Sequence, residues 1–253
     1  MVDFVKNNSQ RFVTGTILLA LVLAVAIIDN FFLTWLFFGA IFMLSFYEAL
    51  KLFKMDNHNN LYFWAFMLWI VAYFYPNPDD LFFIVAIIFA SFLAYHKDYD
   101  TKNFIPFLYP ASSFLFLLAL YSDFGMNALI WLLIVVALTD IGAFFVGKFF
   151  GKREFCKTSP NKTLEGVIGG VVIATIFGSY YALILVDIQY AIAISFLVSI
   201  SSIFGDLFES YLKRRVDVKD SGNILPGHGG ILDRVDGYLF AAPTMVVLLR
   251  GLL

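Results

Sequence analysis

The sequence predicts an all-α, polytopic membrane protein of about nine transmembrane helices with a cytoplasmic N-terminus. Of the 253 residues, 61% are hydrophobic and 14% charged, and mean hydropathy is +0.84; a soluble domain is about half apolar and a quarter charged. Apolar runs of membrane-crossing length alternate with short polar breaks. The basic residues gather on one side of the resulting topology. The same composition excludes disorder. A net charge of −2 excludes a nucleic-acid binder with a broad basic face, and the single cysteine, Cys156, excludes an internal disulfide.

Taken in order, the charge-free runs are Phe12–Ile28, Phe31–Tyr47, Leu61–Tyr75, Leu81–Tyr95, Phe104–Tyr121, Phe124–Gly147, Gly166–Val186, Ile188–Gly205 and Gly237–Leu249. The third and fourth are shorter and flank the turn Pro76-Asn77-Pro78-Asp79-Asp80; a non-crossing hairpin is the alternative there. A β-barrel would alternate polar and apolar residues, which these runs do not. The first run has Lys6 and Arg11 before it and Ala24-Val25-Ala26 inside it, superficially like a signal peptide. It is read as an uncleaved first helix, because the triplet lies within the apolar run and eight further spans follow.

With this span count every Lys and Arg of the 17 except Arg250 faces the N-terminal side. The opposite loops carry Asp29-Asn30, Asp79-Asp80, Asp123 and Asp187. The positive-inside rule therefore sets the N-terminus in the cytoplasm. No internal repeat is visible, which weakens a transporter built from duplicated halves. Composition divides the chain into an N-terminal helical region, 1–122, and a region, 123–253, holding spans six to nine and two polar cytoplasmic loops.

Acids inside apolar helices need an explanation, since a carboxylate in hydrocarbon costs at least about 3 kcal/mol by insertion scales. Asp140 lies within span six; Asp206 and Glu209 lie at the end of span eight. Helical spacing places Asp206, Glu209, Ser210 and Lys213 on one face. The eighth loop, Val218 to Asp236, contains Pro226-Gly227, suited to a tight turn. Glycines around His228, namely Gly227, Gly229 and Gly230, let backbone amides converge on an anion. Asp233 and Asp236 share a face at the start of the last helix. Asp206, Asp233 and Asp236, with Asp140, offer hard oxygen ligands for Mg²⁺. Lys213, Arg214, Lys219 and Arg234 offer phosphate-binding charge. A structural salt bridge and an ordinary glycine turn are the plainer readings. The sixth loop is basic and hydroxyl-rich, with Lys148, Lys152, Ser159, Lys162 and Thr163. Ser159 or Thr163 can cap the next helix, and Gly147 with Gly151 can form a helix-packing pair. It contains no Walker loop.

The run from Ser210 through Lys213-Arg214, Lys219-Asp220, Pro226, His228-Gly229-Gly230, Asp233-Arg234 and Asp236 resembles the signature of the phosphatidate cytidylyltransferases, the CDP-diacylglycerol synthases. The segment Asp140…Gly147…Gly151-Lys152…Ser159-Pro160…Lys162-Thr163…Glu165-Gly166 is similar to that family's looser second pattern; Asn161 departs from it where lysine is usual. The resemblance implies an integral enzyme of the cell membrane that joins CTP to phosphatidic acid, giving CDP-diacylglycerol and pyrophosphate. It further implies Mg²⁺, with a second cation possible in principle, a site facing the cytoplasm, and a homodimer. The metal acids would be Asp206, Asp233 and Asp236, with Asp140. The reacting groups would include Ser210, Lys213, Arg214, Lys219, Asp220, His228 and Arg234. Lys152, Ser159, Lys162, Thr163, Gly229 and Gly230 would bind substrate.

The chemistry suits such residues: the nucleophile is already an anionic phosphate, so the task is charge neutralisation and positioning. A CTP-dependent lipid or polyprenol kinase is the nearer rival, and an ion-coupled transporter the more distant one. The Asp-x2-Asp-Gly-x2-Ala-Arg core of the CDP-alcohol phosphatidyltransferases is absent. Glu48, at the end of span two, is expected to be a mild site.

Overall fold

The computed structural model describes residues 2–55, 59–96, 98–227 and 229–252, with 2–12 and 59 as backbone only. In chain order the elements are α1 (Val2–Ile28), α2 (Phe31–Leu52), α3 (Asn59–Phe74), α4 (Leu81–Tyr95), α5 (Ser112–Phe150), β1 (Glu154–Cys156), β2 (Ser159–Thr163), α6 (Leu164–Ala182), α7 (Ile188–Arg215) and α8 (Leu232–Leu252). The expectation of an all-helical membrane protein holds: six helical stretches among the described residues are long and apolar enough to cross a bilayer. Helices are the form such runs must take, because hydrocarbon offers no partner for an unpaired amide or carbonyl. Large apolar side chains including Ile27, Phe74, Ile87, Phe144 and Tyr180 stand exposed, a surface suited to lipid rather than water.

Two details differ from the sequence reading. The expected fifth and sixth spans run together in α5, which is broken at Gly125, where φ is 74° and ψ −173°. No helix contains that backbone, and only glycine adopts it without strain. The sixth loop carries a small antiparallel hairpin, with Glu154 opposite Thr163 and Cys156 opposite Ser159. Its basic and hydroxyl residues gave no strand periodicity to read.

The chain forms two compact units, residues 1–118 with 218–234, and residues 119–217 with 235–253. The first unit is held by aromatic packing. Phe42 and Phe46 of α2 are buried; Phe42 meets Trp69 and Phe114 at ring-centroid distances of 5.3 and 5.5 Å. Trp35 and Trp69 each donate an indole N–H to the other's carbonyl, at 2.9 and 3.2 Å. The second unit uses small residues and hydroxyls instead. Gly166 and Gly170 of α6 sit against the α5 backbone at Ala143 and Thr139, so closely that no Cβ would fit. Trp131 donates to Ser195 at 2.9 Å, and the hydroxyls of Thr139 and Ser199 pair at 2.7 Å.

Candidate active site

In the second unit a cleft of about 390 Å³ is lined by α5, β2, α6 and α7. Asp140, exposed on α5, contributes one carboxylate and Asp206, on α7, another; Lys148, Asn161, Lys162 and Thr163 supply polar groups. Phe144, Val167 and Ile203 supply an apolar lining. The Lys162 ammonium is bonded directly to Asp206 Oδ2, both side chains being about a quarter exposed. Ser210, one turn on, donates to Asp206 Oδ1 at 3.3 Å. Lys213 and Glu209 form a buried pair at 2.6 Å. The shared face expected along α7 thus exists as two i,i+4 pairs.

Local structure explains this placement. Thr163 ends β2 and caps α6, its hydroxyl accepting from Gly166 N at 3.2 Å. Glu165 Oε2 accepts the Lys152 and Arg153 amides at 3.0 and 3.2 Å, fixing the start of the hairpin. The backbone N–H of Gly237 donates to Asp236 Oδ1 at 2.8 Å. Asp206, Asp140 and Lys213 all lie within electrostatic reach of the Asp236 carboxyl group. Lys152 and Ser159 do not line the cleft, and Arg214 is exposed near the end of α7. Gly147 packs as a close-approach glycine, its partners being Thr163 and Gly166 as well as Gly151.

In the first unit the glycine loop forms a second hollow of about 590 Å³, lined by Lys219, Asp220, Asn223, Leu225, Pro226, Gly227, Gly229 and Arg234. The expected turn is present: Gly227 and Gly229 have φ of 75° and 80°, and Leu225 N donates to Gly229 O at 3.0 Å. His228 lies outside the described residues. Asp233 Oδ2 accepts two backbone amides, from Ser221 at 2.9 Å and Gly230 at 2.8 Å. Gly230 is buried at the base of the loop, outside the lining of the hollow.

A model of the cytidylyltransferase family matches residues 9–252. The chain belongs to the cytidylyltransferase family. It is 46% identical to a phosphatidate cytidylyltransferase of Helicobacter pylori (strain J99) over 96% of this chain and 92% of that one. It is 35% identical to the phosphatidate cytidylyltransferase of Bacillus subtilis (strain 168), over 96% of this chain and 98% of the relative. The Thermotoga maritima phosphatidate cytidylyltransferase is 34% identical, over 84% and 86% respectively.

Two residues of this cytidylyltransferase have contacts that sequence reasoning did not anticipate. Glu48 was expected to matter little. It is completely buried and accepts from Ser221 Oγ at 3.0 Å, Ile231 N at 3.1 Å and Leu232 N at 2.8 Å. Its signal was the one used for Asp140, an acid in an apolar helix. The Lys51 ammonium, three residues on, lies over the Tyr47 ring, 4.0 Å from its centroid. Tyr238 is the other omission: Asp140 and Asp236 both lie within electrostatic reach of its hydroxyl.

Proposed function

We propose that this chain transfers the cytidylyl group of CTP to phosphatidic acid, giving CDP-diacylglycerol and releasing pyrophosphate. The geometry that carries the reading is the cleft of the second unit, where membrane-helix acids and lysines meet an apolar wall. An amphiphilic phosphate needs both surfaces. Lys162 is placed to neutralise phosphate charge, with Lys148 beside it in the lining. Ser210 orients the Asp206 carboxylate.

The donor set fits a hard divalent cation such as Mg²⁺. Asp140, Asp206 and Asp236 offer carboxylate oxygens, and Asp206 already holds a cationic group, the Lys162 ammonium. Among the described residues no three acids, histidines or cysteines stand close enough to form a ready-made cage; open donor sets of this kind are completed by substrate phosphates. Bound there, Mg²⁺ would neutralise charge on the phosphates during displacement. Asp233, expected in the same set, belongs to the first unit, where its Oδ2 accepts the Ser221 and Gly230 amides. A homodimer rests on the family resemblance.

The proposed topology keeps about nine spans and a cytoplasmic N-terminus. Thr101–Phe150 is too long for one crossing, and the break at Gly125 divides it into two. Val13–Ile28 and Asn60–Phe74, shorter apolar helices, complete the number. A membrane-impermeant maleimide should miss Cys156 in intact cells and reach it in inside-out vesicles; labelling from outside would overturn this orientation.

CTP labelled on either the α- or the γ-phosphate tests the reaction. The α label should enter lipid, and only when phosphatidic acid is present. Entry of the γ label would identify a kinase, and entry of neither label would remove CTP-dependent lipid chemistry altogether.

A further inference from the structure

We propose that Glu48 is a positioning residue, whose buried carboxyl group fixes the glycine loop so that Lys219 and Arg234 face the polyphosphate of CTP. The last clause rests on the cytidylyl-transfer reading; the contacts themselves do not. Glu48 lies on α2, 173 residues before Ser221. Its two oxygens together accept the Ser221 hydroxyl at the start of the loop and the Ile231 and Leu232 amides at its end. One side chain therefore clasps both stems of the loop. The Ile231 and Leu232 amides are the donors a helix leaves unsatisfied where α8 begins, so the same group also caps that helix.

The chain is cut to fit this carboxyl group. A Cβ on Gly222 would collide with Glu48 Oε1, and one on Gly230 with Glu48 Oε2 and the Ser221 hydroxyl. Two glycines are thus required by the acid rather than by a turn. A buried acid is a costly way to fill space, since apolar residues of equal volume pack at least as stably. Directional hydrogen bonding to three donors is what an apolar residue cannot supply. The held segment leads on both sides to charged residues of the hollow, Lys219 and Asp220 before Ser221, and Arg234 after Leu232. Apart from Leu225 and Pro226 that lining is polar or glycine, the character expected where a water-soluble polyanion binds.

The test uses the full-length protein in detergent, with Glu48→Gln as an isostere and Ser221→Ala as a milder variant that leaves both amides held. Two quantities are measured: KM and kcat per folded enzyme for each substrate, and hydrogen exchange at the amides of 221–232. Glu48→Gln should raise KM for CTP about tenfold while KM for phosphatidic acid stays within about twofold, the split expected of a lost positioning contact. The Ile231 and Leu232 amides should exchange faster. Glu48→Asp should recover part of the CTP affinity, and Ser221→Ala should raise KM for CTP by about threefold. A purely structural Glu48 would lower the yield of folded enzyme while leaving both KM values and the loop exchange at wild-type levels, which would overturn the proposal. Should Glu48→Gln fail to fold, unchanged CTP kinetics and unchanged exchange in Ser221→Ala would overturn it as well. A wild-type protein that makes no CDP-lipid would break the functional reading instead, and the exchange data would still decide whether Glu48 holds the loop.

Discussion

The two polar regions of this molecule handle their carboxylates in opposite ways. In the glycine loop of the first unit, Glu48 and Asp233 are satisfied by backbone amides and one buried hydroxyl. Those donors cannot leave without unfolding the loop. In the cleft of the second unit, Asp206 is satisfied by a lysine on a hairpin and by the Ser210 hydroxyl, both partly open to solvent. Such donors can be exchanged for a metal ion at little conformational cost. A carboxylate pinned by amides shapes the protein; one neutralised by a partly exposed ammonium is available for chemistry. Loss of charge should therefore harm activity most in the cleft, while loss of fit should harm stability most in the loop.

The largest effect expected is at Asp206. Asp206→Asn keeps the shape and removes the charge, and turnover should fall about a thousandfold if a metal stabilises the transition state by several kcal/mol. Transfer of α-labelled phosphate into lipid at saturating Mg²⁺ measures it. Near-native turnover in a folded variant would remove Asp206 from the metal set and erase the contrast with the loop.

Lys162→Gln sharpens the contrast from the other side of the ion pair. Removing one fixed donor to phosphate should lower kcat by about a hundredfold. The same change should alter stability by at most about 1 kcal/mol, because partly exposed ion pairs contribute little. Thermal unfolding in detergent and kinetics on the same preparation test both halves. A large fall in stability would mean that the pair is architectural, like those of the loop.

Gly230→Ala should show the reverse pattern. The added methyl meets Glu48 and Ser221 in a buried place, so overpacking should cost about 1–3 kcal/mol of stability. Activity per folded molecule should fall only about tenfold, because the substrate-facing groups are displaced rather than lost. The thermal midpoint and kcat/KM report the two quantities separately. A fully stable Gly230→Ala variant would show that the loop is looser than its hydrogen bonds imply.

How far the sequence could be read follows the same division. Apolar run length sufficed for the helices, because lipid leaves a chain no alternative to internal hydrogen bonding. The face of Asp206, Ser210 and Lys213 was legible because helical spacing is local. The positive-φ turn at Gly227 was legible because Pro-Gly carries its own backbone preference. Glu48 was not, since its partners are more than 170 residues away and nothing in its neighbourhood encodes them. The hairpin of the sixth loop was missed because its strands pair only with each other and show no buried periodicity. Composition assigned all of 123–253 to one region, whereas 218–234 pack with the N-terminal helices. Glu48 bonds to that segment at Ser221, Ile231 and Leu232, contacts that composition does not register.

The smallest effect is expected at Arg250, the one basic residue that the proposed topology sets apart. Its guanidinium grips Asp123 through Nε at 2.8 Å and through a terminal nitrogen at 2.7 Å, both on Oδ2, and Arg250 is about a third exposed. This is a third way of holding a carboxylate, by a charged side chain that lines neither the cleft nor the hollow. An exposed pair of this kind contributes about 0–1 kcal/mol and is weakened by salt. Arg250→Gln should therefore lower stability by no more than that, and less at high ionic strength. Its kcat/KM for either substrate should stay within about twofold of wild type. A loss of activity above about tenfold at unchanged stability would show that charges outside the cleft and the loop reach the reacting groups. The difference between the two regions would then reflect the field of the whole protein rather than the local partners of each acid, and Asp206 would have to be reconsidered on those terms.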